Sequence, residues 1–135
     1  MFGCVFSCHY LQGVVNDRFA ELISGEPDYV VKSIEGYLAD IEMILFELSR
    51  NGESSKIDFS MVASLAHEIE DKSASIGAAH MMLAFSELLK TCNEMNKRKF
   101  ILSLTWLKTE FTQTKNKLEA VVRMEQRIIR VQSSQ

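Results

Sequence analysis

A single proline in 135 residues, Pro27, is the feature that most restricts how this chain can fold. Chains of short strands and tight turns place proline and glycine at their corners, and here both are scarce, with only six glycines. Scarcity of corners favours long helices, and the apolar residues settle the matter. Val30, Ile34, Tyr37 with Leu38, Ile41, Ile44 with Leu45, and Leu48 recur at steps of three and four, the stripe of an amphipathic helix. Pro27 suits its first turn, where the missing N–H would go unpaired anyway. Asn51-Gly52 is expected to close this helix, with Gly52 free to turn left-handed.

The same spacing continues beyond the polar loop NGESSK. A second long helix is expected from near Asp58, with Phe59, Val62, Ala66, Ile69 and Ser73 along its inner side. A third runs from about Ala78 to Asn96, using Met82, Phe85, Leu89 and Cys92. The last is the longest, lined by Phe100, Leu104, Leu107, Phe111, Leu118, Val121 or Val122, and Ile128 or Ile129. A shorter helix, about Asn16 to Ser24, precedes the first long one. Four long helices with short connections fold most simply as an all-α, up-and-down four-helix bundle with a short additional N-terminal helix. The length suits one domain with one core, and 47% hydrophobic residues suit a packed one. The expected organisation is a lead over 1–12, the bundle over 13–131 and a frayed tail over 132–135.

Composition narrows the function classes. A formal net charge of -3 does not indicate a general affinity for nucleic acid. Cys4, Cys8 and Cys92 are too few and too uneven for a disulfide scaffold, so a reducing compartment is the easier reading. Cys4, Cys8 and His9 lie close together, but two thiols and one imidazole do not close a zinc site. No apolar run approaches the roughly 20 residues a bilayer needs. MFGCVFSCHYLQ lacks a basic start and a clear cleavage site, and reads as a short helix or a lead rather than a signal peptide.

Chemistry is offered by one histidine. Residues advance about 100° each around a helix, so His67 falls nearly opposite Val62, Ala66 and Ile69 and should face solvent. Small residues surround it on that face, Ser60, Ala63, Ser64 and Ala74, and Glu70 and Asp71 flank it one turn along. A neutral imidazole is nucleophilic near pH 7, and small neighbours let a partner's active site approach for in-line phosphoryl transfer. Periodicity alone does not separate such a carrier from an ordinary surface histidine.

The stretch around His67 adds to this. HEIEDKSASIGA, His67 to Ala78, resembles the signature of plant histidine-containing phosphotransfer proteins, approximately HQ-[LF]-KGSSSSIGA. Its end, Ser75-Ile76-Gly77-Ala78, sets the register and brings His67 onto the family's phosphorylated histidine. PDYVV at Pro27 is similar to PDFVV, Cys92 and Asn96 match C-x-x-x-N, and KNKLEAVVRMEQRII from Lys115 is similar to KNKLETLFRLEQQIV. The resemblance spans about Gly13 to Val131. It implies a helical bundle without kinase activity that binds no cofactor of its own. Such a protein takes a phosphoryl group from one receiver domain, on a hybrid histidine kinase such as a cytokinin receptor, and passes it to another on a response regulator. Magnesium is supplied by the receiver. A monomer moving between cytoplasm and nucleus, with neither nucleic-acid nor membrane binding, is the expectation.

Departures fall at the site. Glu70 stands where the family has lysine, Asp71 where it has glycine, and Lys72 where its serine run begins, although position 72 points well away from His67. On the next helix the family's Arg and Lys correspond to His80 and Met82. A phosphoryl group carries about -1.5 to -2 charges. Exchanging a nearby cation for an anion at a solvated surface costs on the order of 1–3 kcal/mol, roughly ten- to a hundredfold in phosphorylated population. The expectation is a carrier of reduced efficiency. The alternatives are a pseudo-phosphotransfer protein that binds the same partners and damps the relay, and a helical adaptor unrelated to it that binds a coiled partner.

Overall fold

Helix starts are set by local chemistry that the sequence spells out. A computed structural model describes residues 14–134, and the cysteine and histidine cluster at Cys4, Cys8 and His9 lies outside those residues, as does the lead over 1–12. Helix α1, Asp17–Ile23, is capped by Asn16, whose side chain accepts from the Arg18 N–H at 2.9 Å. Helix α2, Pro27–Glu53, has its proline in the first turn. Helix α3, Phe59–Ile76, is capped by Asp58 Oδ1, which accepts from the Met61 N–H at 3.1 Å. Helix α4, Ala79–Glu94, is followed by α5, Lys97–Ser133, which Asn96 caps by accepting from the Lys99 N–H at 3.0 Å. Each cap satisfies an N–H that the helix leaves without an internal partner.

The four long helices close into a bundle around one core. Helix α2 packs on α3 and α5, and α4 packs on α3 and α5, while α1 lies across α2 and α3. Short connections make sequence neighbours antiparallel. The core is filled by Phe19, Ile34, Ile41, Leu48, Ile69, Phe85, Leu88, Phe100, Leu107 and Leu118, all fully buried. Every apolar position predicted for α2 from Val30 to Leu48 is buried.

Three expectations are corrected. Gly52 does not turn left-handed but stays inside the last turn of α2, which ends one residue later at Glu53. A Cβ on Gly52 would sit 3.1 Å from Ile101 Cδ1 on α5, a side-chain tip that would have to give by a few tenths of an ångström. In α4 the inward stripe is Met81, Ala84, Phe85, Leu88 and Cys92, whereas Met82 and Leu89 are half-buried. That helix is wedged between two neighbours, and its broad apolar surface left the centre of the stripe ambiguous. On α3, Phe59 is half-buried, at the edge of the core, where its ring meets that of Phe100 at 78° with centroids 6.3 Å apart. Helix α5 continues to Ser133, with Gln132 and Ser133 exposed in its last turn.

The α3–α4 corner needs glycine. Gly77 ends α3 with φ +84°, and a Cβ there would lie 2.4 Å from the Phe19 backbone nitrogen. Helix α1 is pressed onto this corner by the Asn16 N–H donating to the Gly77 carbonyl at 3.0 Å and by Arg18 Nε donating to the Ser75 carbonyl at 3.1 Å.

Candidate functional site

Because Val62, Ala66, Ile69, Ser73 and Ile76 are buried, α3 must turn its opposite face to solvent. His67 is exposed on that face, and Ser60, Ser64, Asp71 and Ala74 are exposed with it. Ala63 is half-buried, tucked against the edge of the core, and Glu70 is partly covered. The ring of residues expected around His67 is therefore assembled, with Ala63 contributing floor rather than open surface. Neither ring nitrogen of His67 makes a hydrogen bond or ion pair to a described residue. The imidazole is held only by its own helix, in the middle of a rigid element.

The charges around it follow from the same geometry. Glu68, Glu70 and Asp71 make no ion pair with any described residue. The one cation on α3, Lys72, is turned toward α2, where Nζ meets Asp40 Oδ2 at 3.0 Å. A partner approaching His67 therefore meets carboxylates without compensating cations on the same helix. On the α2 side of Asp71, an open groove of about 430 Å³ runs past Gly36 between Lys32 and Ser75.

His80 and Met82 do not flank His67. With a rise of about 1.5 Å per residue, His67 lies about 15 Å down α3 from the Gly77 corner, whereas His80 sits just past it. His80 is engaged elsewhere: Nδ1 lies 3.0 Å from Oε2 of Glu110 on α5. By the same rise, antiparallel α4 comes level with His67 near Leu88 to Lys90. Lys90, whose Nζ is 3.0 Å from Glu87 Oε1, is the cation on that stretch. Sequence reading missed it, although counting back from the hairpin corner was the available signal.

Polar residues inside the bundle were also missed, except Ser73. The Tyr37 and Ser73 hydroxyls lie 2.7 Å apart, both buried, and burial pushes the Tyr37 phenol up to about 12. Glu110, Thr114 and Glu125 on α5 are buried too. Desolvation holds the Glu125 carboxyl above the ordinary carboxylate range. Thr114 and Glu125 fall in step with Leu107, Phe111, Leu118 and Val121, so their spacing was inward and only their polarity hid them.

Comparison with known proteins places this geometry. No protein-family model matches the chain. A protein of Oryza sativa subsp. japonica named histidine-containing phosphotransfer protein 1 is 30% identical over 123 residues, covering 88% of this chain and 84% of that one. An Arabidopsis thaliana protein of the same name is 27% identical over 124 residues, covering 89% and 80%. Among solved structures, a histidine-containing phosphotransfer protein from maize superposes with a TM-score of 0.86 at 23% identity, over 93% of this chain and 96% of that one. One from Medicago truncatula gives 0.82 at 26% identity, over 90% and 86%.

Proposed function

Because this chain belongs to the histidine-containing phosphotransfer proteins, we propose that it relays phosphoryl groups through His67 between receiver domains. The carrying observation is an exposed, unpartnered imidazole at mid-helix, ringed by Ser60, Ser64, Ala63 and Ala74. A nitrogen lone pair of His67 attacks the phosphorus of an aspartyl phosphate, forming the N–P bond as the P–O bond breaks and the aspartate carboxylate leaves. The reverse exchange delivers the group to the next aspartate. The chain contributes the nucleophile and the docking surface, and the receiver contributes the magnesium ion that offsets the phosphoryl charge. The donors are hybrid histidine kinases and the acceptors response regulators, in a cytokinin-type relay that a monomer carries between cytoplasm and nucleus.

Glu70 and Asp71 set the efficiency. Their uncompensated carboxylates disfavour both the phosphorylated state and the approach of a receiver's acidic pocket. They also favour a second reading, in which the chain docks on receivers, takes little phosphate and damps the relay. Transfer from a phosphorylated receiver in magnesium buffer, with His67→Gln beside the wild type, tests both. Acid-labile phosphate on His67 that disappears in His67→Gln is the expected result, and its absence from the wild type would remove the carrier reading. In Glu70→Lys/Asp71→Gly, transfer should rise roughly ten- to a hundredfold. Binding without transfer in the unaltered chain, restored by that pair of substitutions, would establish the damping role.

A further inference from the structure

The corner where α1, α3 and α4 meet holds chemistry that the bundle does not need for packing. Glu110 is only 8% exposed, yet its Oε2 has no hydrogen-bond partner among the described residues. The group it faces is the His80 imidazole, whose Nδ1 stands at ion-pair distance, 3.0 Å, without completing a hydrogen bond. A carboxylate on one edge of an imidazole draws the proton to that nitrogen and leaves a basic lone pair on the other. His80 Nε2 makes no hydrogen bond to a described residue, and the side chain stays 34% exposed.

The surroundings favour an added anion. His80 lies in the first turn of the 16-residue α4, at the positive end of the helix dipole. Its backbone N–H donates to the Val14 carbonyl at 3.1 Å, which ties the residue to the segment entering α1. Arg18 donates Nε to the Ser75 carbonyl near this corner, and its Nη1 is paired with Glu21 Oε2 at 3.0 Å. His67, in contrast, sits at mid-helix between carboxylates.

We propose that His80 is a second phosphoryl-accepting imidazole, with Glu110 as its positioning residue. The proposal rests on the acyl-phosphate chemistry of the preceding reading but not on His67. The Nε2 lone pair attacks the phosphorus of an acyl phosphate. The N–P bond forms, the P–O bond to the acyl oxygen breaks, and its electron pair leaves with the carboxylate. The proton stays on Nδ1, so the resulting imidazolium faces the Glu110 charge.

The test incubates the full chain with acetyl phosphate and magnesium, and separately with a phosphorylated receiver, and locates phosphohistidine by mass spectrometry at neutral pH. Phosphate on His80 is expected in the wild type and should persist in His67→Gln. Glu110→Gln should lower the His80 signal about tenfold or more while leaving the His67 signal and the helical circular dichroism unchanged. Phosphate on His67 alone overturns the proposal and leaves the relay reading intact. Phosphate on neither overturns both, and phosphate on His80 alone supports the proposal while removing His67 from its role. Equal loss at both histidines in Glu110→Gln would overturn the positioning role.

Discussion

Between α2 and α3 the buried Tyr37 and Ser73 hydroxyls meet at 2.7 Å, and their pairing has a measurable consequence. The phenol is held protonated to about 12 by burial, against an ordinary value of 10.0. As pH rises past 10 the unfolded chain releases this proton while the folded chain keeps it. Stability contributed here is therefore complete below pH 10 and falls by about 1.4 kcal/mol per pH unit until the folded phenol ionises. Urea titrations of wild type and Tyr37→Phe across that window should show the steeper loss in the wild type. At neutral pH the variant should be weaker by about 1–2 kcal/mol, because Ser73 is left without its buried partner. Equal slopes would show that the phenol ionises alike in both states. The Tyr37–Ser73 pair also marks a limit of reading from sequence: both residues were assigned inward from periodicity, and nothing in the spacing said that they touch.

Helix α3 carries the candidate site, and its start depends on a small set of polar contacts. Asp58 caps it, and the Asn51 side chain holds the Asp58 backbone from the end of α2, accepting from its N–H at 3.1 Å. Asp58→Ala should cost about 1 kcal/mol, read by thermal unfolding, and should loosen the first turn at Ser60 in hydrogen exchange. No change in either would show that Asn51 and the loop suffice. The helix starts near Asn16 and Asp58 and the proline of α2 were legible because each depends on residues within the first turn. The end of α2 was not, because Gly52 stays helical beside Ile101 of α5 instead of making a turn of its own. The orientation of α4 was likewise decided by two neighbours at once.

At the scale of the molecule, docking on a receiver domain under the proposed relay would be governed by charge. The chain carries a formal net charge of -3, and Glu68, Glu70 and Asp71 stand together on the His67 face. Repulsion between this face and a receiver's acidic pocket should be relieved by salt, because the screening length shortens from about 30 Å at 0.01 M to about 8 Å at 0.15 M. Stopped-flow association with a receiver domain should therefore speed up as salt is added. In Glu70→Lys/Asp71→Gly that dependence should flatten or reverse. A rate that falls with salt in the unaltered chain would show that the face is attractive to its partner, and the case for weakened docking would go.

What the amino acids determined unaided is the set of helices and, α4 apart, their buried faces, since periodicity and capping act over one or two turns. The exposure of His67 belongs with these, because its side of α3 follows from the apolar residues on the other. Tertiary structure alone decided that Glu110 reaches His80 across α5 and α4, that Lys72 turns to Asp40, and that Gly77 must be glycine beneath Phe19. Each of these joins residues far apart in the chain. Their meeting depends on how the helices rotate and slide against one another, and that is fixed only when the whole core is packed at once.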